Sequence, residues 1–190
     1  YHSLMPLINF VRSKNLEIID FEKVDAQGGS IRVYVSHANI FKVKKEKIKK
    51  QVNIEKRNKL FSVITYLKYF SRIKETKKKL KKILVEFKKK KLKIIGFGAP
   101  AKLTTFFHVM KINKSYIDYI VDENYLKQGR FAPGTKIPIF DILKLNETKP
   151  DIILVLAWNF FESIYKKCSV ILKHDIRFIK PFPKIKIFNS

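Results

Sequence analysis

The sequence predicts an α/β protein: a parallel sheet flanked by helices, preceded by a long basic amphipathic helix and an N-terminal helix–strand–strand segment. Three observations support this prediction. Strand and helix patterns alternate from residue 93 onward, one of those strands is an unbroken apolar run, and residues 42–92 contain neither Gly nor Pro. The chain therefore divides into three regions, residues 1–41, 42–92 and 93–190.

Region 1–41 is predicted to hold one helix and two strands. The helix is "SLMPLINFVRSKN", in which apolar residues recur at helical spacing (Leu4, Leu7, Ile8, Val11). The segments "LEIIDFEKV" and "SIRVYVSHA" have the patterns of strands, and "DAQGGS" between them is predicted to be a turn.

Region 42–92 carries 21 Lys or Arg residues against four Glu. Its apolar residues recur in steps of three and four, which predicts one amphipathic helix, or two that join near Ile73–Lys79. A helix that packs on the next domain with its lysines toward water explains this pattern. The alternative is that the lysine face binds RNA or an anionic membrane.

Region 93–190 alternates between strand and helix patterns. A helix with Pro100 in its first turn follows the first strand, and "DIILVLAW" is the continuous apolar run expected of a strand covered on both faces. The order is strand, helix, strand, strand, helix, strand, with a Gly- and Pro-rich loop after the second strand. This order predicts a small Rossmann-like unit.

The net charge of +25 does not identify a partner by itself. Only six of the 41 basic residues are Arg, and Ala is rare, which is the composition that an AT-rich genome favours. Proteins that read nucleic acids usually rely on Arg for bidentate contacts. We therefore expect no specific nucleic-acid partner.

The cysteines and histidines limit the disulfides and metal sites that the chain can form. Cys168 is the single cysteine, which rules out a disulfide within the chain and a cysteine-based zinc site, and fits a reducing cytoplasm. The four histidines follow no metal-ligand spacing. No apolar run approaches the length of a membrane span, so we expect none.

The stretch "GFGAPAK" is the first candidate binding site. Gly98, Ala99 and Pro100 form a turn between a strand and a helix, where backbone N–H groups and the helix dipole favour an anion, and Lys102 adds a positive charge. The third glycine of the dinucleotide fingerprint is missing. A tight turn without a ligand is the alternative.

Other candidate residues follow the later strands. Asp122 ends the second strand at the position where dinucleotide-binding folds hold a ribose, although a turn or cap role is equally possible. The loop after it carries the polar residues Lys127, Gln128, Arg130 and Thr135, which suit a substrate-contacting loop or an ordinary surface turn. Trp158 and Asn159 end the apolar strand. The Trp158 indole could stack on a ring of the ligand. The alternative is that Trp158 belongs to the hydrophobic core and Asn159 caps the next helix.

Four collinear stretches together resemble one known family. They are "GGSIRVYVSH" (28–37), "GFGAPAKLTTFF" (96–107), "IDYIVDENYLKQGRFAPGTKIPI" (117–139) and "PDIILVLAWNF" (150–160). Their order and their residues resemble the C-terminal domain of S-adenosylmethionine-dependent sugar C-methyltransferases. The resemblance extends over nearly the whole chain and is weakest in region 42–92.

This resemblance implies the arrangement of a longer protein. Family members have an N-terminal zinc-binding domain, a central methyltransferase domain that binds S-adenosylmethionine, and this C-terminal domain, which helps to bind a nucleotide-linked keto-deoxysugar. A base removes the proton beside the ketone, and the enolate attacks the methyl group. Region 1–41 would then be the end of the preceding methyltransferase domain together with connecting strands.

The resemblance also implies what this chain lacks. The family's base is a His in an acid–His pair before a Y-x-S segment, which Tyr1 and Ser3 match, so His2 is not that base and the pair would precede Tyr1. Neither zinc cysteines nor a glycine motif for S-adenosylmethionine is present. We expect a fragment that binds the nucleotide sugar, requires the upstream domain, holds no cofactor itself and does not methylate alone. The alternatives are a stand-alone nucleotide- or CoA-binding module and a basic RNA- or membrane-associating protein.

Overall fold

The computed structural model of the chain describes residues 2–190, so the predicted role of Tyr1 lies outside the described residues. The chain divides into two compact units. The first ends at Phe70 and the second covers Ser71–Ser190. Within residues 2–190, no helix combines the length and apolar character needed to cross a membrane.

The first unit contains the predicted helix and the two predicted strands. Helix α1 (Leu4–Arg12) is followed by the antiparallel strands β1 (Leu16–Val24) and β2 (Ser30–His37), and then by helix α2 (Lys45–Arg57). Its buried apolar residues come from α1 and β1: Leu4, Val11, Ile18 and Phe21. These assignments confirm the helix and both strands.

A buried carboxylate joins α2 to the start of α1. Glu55 is almost fully buried, and its two oxygens accept hydrogen bonds from the backbone N–H groups of Leu4 at 2.7 Å and Met5 at 3.1 Å. The first N–H groups of a helix have no partner within the helix, so this carboxylate satisfies two of them.

Helix α3 (Val63–Lys89) begins in the first unit and ends in the second. The predicted join near Ile73–Lys79 is wrong, because α3 runs unbroken through it and the break from α2 lies at residues 58–62. There Lys59 adopts a left-handed φ of 53°, and its carbonyl accepts a hydrogen bond from the Thr65 hydroxyl at 2.8 Å. In the second unit, α3 buries Leu80, Leu84 and Phe87.

The second unit is built on a seven-stranded, mostly parallel sheet with the order β5-β6-β4-β3-β7-β8-β9. The four central pairings are parallel, and the two edge pairings are antiparallel. This sheet with flanking helices confirms the predicted fold class. The strands are β3 (Ile94–Phe97), β4 (Ile120–Val121), β5 (Phe131–Ala132), β6 (Ile137–Phe140), β7 (Ile152–Val155), β8 (Arg177–Lys180) and β9 (Lys186–Asn189).

Both faces of the central strands are covered. Ile94 and Leu154 face one core cluster, whereas the next residues along each strand, Ile95 and Val155, face another. The predicted double burial of the "DIILVLAW" strand is therefore confirmed. Three helices connect the strands: α4 (Leu103–Met110), α5 (Lys144–Thr148) and α6 (Phe161–Ile171).

Two details differ from the sequence-based expectation. The Gly- and Pro-rich loop holds β5 and β6, and the chain after β8 returns as β9. Helix α4 begins at Leu103, so Pro100 precedes its first turn and Lys102 is its N-cap residue. The Leu103 N–H donates to the Pro100 carbonyl at 2.8 Å, which makes residues 100–103 a separate turn.

Candidate functional site

Gly96 within β3 and Gly98 in the turn after it both occupy positions where the backbone is crowded. A side chain on Gly96 would lie 2.5 Å from the Leu156 side chain. Gly98 has a φ of +87°, and a Cβ there would lie 2.7 Å from the Cβ of Ala157. Only glycine combines this conformation with this approach, so the β3 turn packs directly on the end of β7.

Asp122 holds the β3 turn against the loop that follows β4. Asp122 is 8% exposed. One of its carboxylate oxygens accepts a hydrogen bond from the Ala99 N–H at 2.5 Å, and the other accepts one from the Asn124 N–H at 2.9 Å. The Lys127 ammonium lies 3.3 Å from the first of these oxygens. Because both oxygens already accept N–H donors, the geometry of Asp122 is that of a tie between two loops.

The Gln128 side chain fixes the same loop through two hydrogen bonds. Its side-chain nitrogen donates to the Asp122 carbonyl and to the Asp141 carboxylate, at 2.9 Å in each case. The loop is also paired through backbone bonds, because Gly129 N–H donates to Ile139 and Ile139 N–H donates to the Arg130 carbonyl. Arg130 therefore projects from a well-fixed backbone.

A pocket of about 240 Å³ lies between the β3 turn and this loop. Its charged lining residues are Lys127 and Arg130, and its remaining walls are apolar apart from Thr104. Arg130 is exposed and forms no ion pair with a carboxylate among residues 2–190. The apolar lining consists of Ala99, Pro100, Ala101, Leu103, Phe131, Pro133 and Ile139.

Lys102 lies by a different group of residues. Its ammonium is 4.3 Å from the centre of the Trp158 ring, a distance at which cation–π attraction operates. The indole also packs against Phe106 and Phe182, with ring centres 5.6 and 5.1 Å away. Asn159 is exposed in the short 3₁₀ turn that Trp158 begins.

Thr135 belongs to the same loop but lines a different pocket. Its hydroxyl donates to the Ala132 carbonyl at 3.1 Å, and it lines a second pocket of about 250 Å³ together with His108 and Lys111. The structure thus brings Ala99, Pro100 and Arg130 to one pocket, and leaves Lys102, Trp158 and Thr135 outside its lining.

The pocket also includes residues outside the predicted site. Lys127 was noted among the polar residues of the loop but was not assigned to the site, and the apolar residues Phe131 and Ile139 carried no signal. Strand adjacency was the available clue for Lys127. A lysine five residues beyond the acid that ends β4 can turn back toward that acid and toward the neighbouring β3 turn.

The matched region of a known family covers this whole arrangement. A family model described as the C-methyltransferase C-terminal domain matches residues 25–183. The chain belongs to this family. The matched region therefore includes strand β2, the sheet up to β8 and every residue of the pocket, whereas β1 precedes it.

One relative, itself named a C-methyltransferase, is a longer protein. C-methyltransferase NovU of Streptomyces niveus is 25% identical to this C-methyltransferase C-terminal domain over 190 residues, which are 100% of this chain and 45% of NovU. The chain therefore spans less than half the length of this relative.

Zinc and S-adenosylmethionine, the cofactors that the resemblance implies, are both disfavoured by the residues that the structure describes here. Among residues 2–190, no three His, Cys, Asp or Glu side chains lie close enough together to hold a metal ion. Burial raises the pKa of the Cys168 thiol to about 12, which disfavours the thiolate that zinc requires. For S-adenosylmethionine, the acid in the ribose-binding position, Asp122, is already engaged by two N–H groups and by the Lys127 ammonium, which disfavours a ribose there.

Proposed function

We propose that the chain is the substrate-binding, C-terminal part of an S-adenosylmethionine-dependent C-methyltransferase that acts on a nucleotide-linked keto-deoxysugar. Membership of the C-methyltransferase C-terminal domain family supports the reaction class. The observation that carries the binding role is the pocket beside the β3 turn, where Arg130 has no carboxylate partner among residues 2–190.

The diphosphate of the nucleotide sugar is the group that this pocket suits. Arg presents several N–H donors in a fixed fork and pairs with phosphate oxygens in a bidentate manner. Lys127 adds a second positive charge, although its pairing with Asp122 offsets part of it. The apolar residues that line the rest of the pocket, with Leu103 and Ile139 buried among them, lower the local polarity and thereby strengthen the ionic contacts.

The walls of the pocket are fixed before any ligand binds. Asp122 ties the β3 turn to the loop, and Gln128 holds the loop to Asp141. A ligand therefore does not have to order these segments, which lowers the entropic cost of binding. Lys102 joins the site when its ammonium leaves the Trp158 ring, so we assign it a smaller share of the affinity than Arg130.

The chemical step takes place outside these 190 residues in this proposal. S-adenosylmethionine supplies the methyl group when it is bound to an upstream methyltransferase domain, which also carries the base. In this proposal the 190 residues alone do not methylate, because both the methyl donor and the base belong to the upstream domain. Transfer of a methyl group to a nucleotide sugar by the isolated 190 residues would contradict this statement.

Calorimetric titration with uridine and thymidine diphosphates tests the binding role. We expect the chain to bind both, and Arg130→Ala to weaken binding about tenfold or more, because hydrogen bonds to charged groups contribute roughly 1.5–3 kcal/mol. Lys102→Ala should weaken binding by a smaller factor. Arg72→Ala, which removes an exposed arginine of α3, is the matched control. Equal losses for Arg72→Ala and Arg130→Ala would indicate general charge attraction and would overturn the assignment.

A further inference from the structure

The start of α3 carries an exposed apolar surface that the pocket does not use. It consists of seven residues, each between 45% and 71% exposed, and we call it the 61–70 patch. Isolated exposed apolar residues are common on proteins, but seven within ten positions form a contiguous patch, and such patches mark interaction sites. Its members are Phe61, Val63, Ile64, Tyr66, Leu67, Tyr69 and Phe70.

The patch is wider than the stripe by which a helix packs on a sheet. At 3.6 residues per turn, its helical members extend over roughly 220° of the circumference, from Tyr69 round to Ile64. In the second unit the same helix buries a narrower line of residues, Leu80, Leu84 and Phe87. A helix that is apolar over more than half of its circumference is suited to an enclosing protein surface.

The patch is held in a fixed conformation by the turn before it. The Tyr66 hydroxyl donates to the Leu60 carbonyl at 2.7 Å, and the Thr65 hydroxyl donates to the Lys59 carbonyl at 2.8 Å. The Ser62 N–H also donates to Lys59. A surface ordered in this way loses little conformational entropy when a partner covers it.

Cations surround the patch and restrict its partner. Lys59, Lys68 and Arg72 form no ion pair with a carboxylate among the described residues, 2–190. A second copy would bring the same cations together at a cost in repulsion. A lipid surface would cover only one side of the helix. A protein surface with an apolar groove and an acidic rim matches both the width and the charge.

We propose that the 61–70 patch is the docking surface for the S-adenosylmethionine-binding methyltransferase domain. This inference rests on the proposed function, which requires such a domain. The relative NovU is more than twice as long as the matched region, since that region is 45% of it, so a chain of that family has further polypeptide to cover the patch. The groove that receives α3 is apolar, with Asp or Glu residues facing Lys59, Lys68 and Arg72.

Hydrogen exchange in a complete methyltransferase that contains this chain tests the docking directly. We expect the amides of residues 63–70 to exchange at least about tenfold more slowly there than in the isolated 190 residues, because a covered helix opens less often. Leu67→Glu should abolish that difference and lower kcat/KM for methylation. Val170→Glu, at an apolar residue that is 77% exposed on α6, is the matched control and should change neither quantity.

Measurements on the isolated chain decide among the other occupants. We expect it to sediment as a monomer and not to bind vesicles of phosphatidylcholine with phosphatidylglycerol through the patch. A dimer or vesicle binding that Leu67→Glu removes and Val170→Glu leaves intact would overturn the docking proposal, as would unchanged exchange of residues 63–70 in the complete enzyme. Uridine diphosphate binding by Leu67→Glu should equal that of the unchanged chain; if neither binds, it is the proposed function that fails.

Discussion

At the scale of single residues, the β3 turn is determined by contacts between segments distant in sequence. Gly98 lies against Ala157, and Ala99 donates to Asp122, so two neighbouring strand ends fix one short turn. Arg130 contributes differently, because its backbone is fixed while its guanidinium has no carboxylate partner in the described part of the chain. The site thus combines a rigid frame with one unpaired cation.

Gly98→Ala tests the frame at its tightest point. We expect a loss of about 2–4 kcal/mol in the free energy of unfolding, from the left-handed conformation and the contact with Ala157 together. Adding Ala157→Gly should restore the part that comes from the contact but not the part that comes from φ. Urea denaturation of the single and double variants measures both parts, and a Gly98→Ala variant as stable as the parent would refute this account of the turn.

Substitution of Asp122 tests the tie between the loops. Asp122→Ala leaves the Ala99 and Asn124 N–H groups without their acceptor, which costs roughly 1–3 kcal/mol. Asp122→Asn retains one oxygen and should lie between Ala and the parent in chemical denaturation. If Asp122→Ala weakened diphosphate binding without any loss of stability, direct contact with the ligand would replace the tie as its role.

At the scale of elements, ion pairs connect strand β1 to helix α2 and to Lys44, the residue before that helix. The Asp20 carboxylate accepts from Lys44 at 2.6 Å and from Lys47 at 2.7 Å, and these two lysines hold its pKa well below the usual range of an Asp. The interaction favours the charged form in the folded state, so folding becomes pH-dependent in acid.

The melting temperature in acid should report this connection. Because the pKa of Asp20 is lower in the folded state, its contribution is complete above the unfolded pKa, near 4, and is lost as the pH falls through the folded value. We expect the melting temperature of the parent to fall more steeply below about pH 4 than that of Asp20→Asn. Parallel curves for the two proteins would show that these ion pairs do not stabilise the fold.

Local patterns predicted some elements and missed others for physical reasons. The apolar runs of β3 and β7 and the helical spacing of α1 are local signals, and the structure confirms them. Strands β5 and β6 exist because two short segments of a loop pair with each other and with the sheet, and no local pattern encodes such pairing.

In the candidate site, too, local patterns predicted some features and missed others. The glycine turn and the position of Asp122 at a strand end could be predicted, because parallel strands place their carboxyl ends at one edge of the sheet. The engagement of Lys102 with Trp158 and the separation of Thr135 from the pocket could not, since both depend on how turns pack. Likewise, periodicity predicted the apolar face of α3 but not that its first residues are exposed.

At the scale of the whole molecule, the chain combines two compact units with a strong positive charge of +25. Many of the lysines are exposed and unpaired within residues 2–190, so attraction of any polyanion is expected and is sensitive to salt. Binding of a diphosphate at one pocket is distinguished from this general attraction by its location and by its dependence on Arg130.

Nuclear magnetic resonance of the isotopically labelled chain during titration with uridine diphosphate is the most direct test of the substrate-binding role. We predict that the largest amide shifts fall in residues 98–104 and 127–133, the two segments that contribute most of the pocket lining, and that Arg130→Ala removes them at equal salt. Shifts spread over the lysines of α2 and α3, or shifts that Arg130→Ala leaves unchanged, would contradict it.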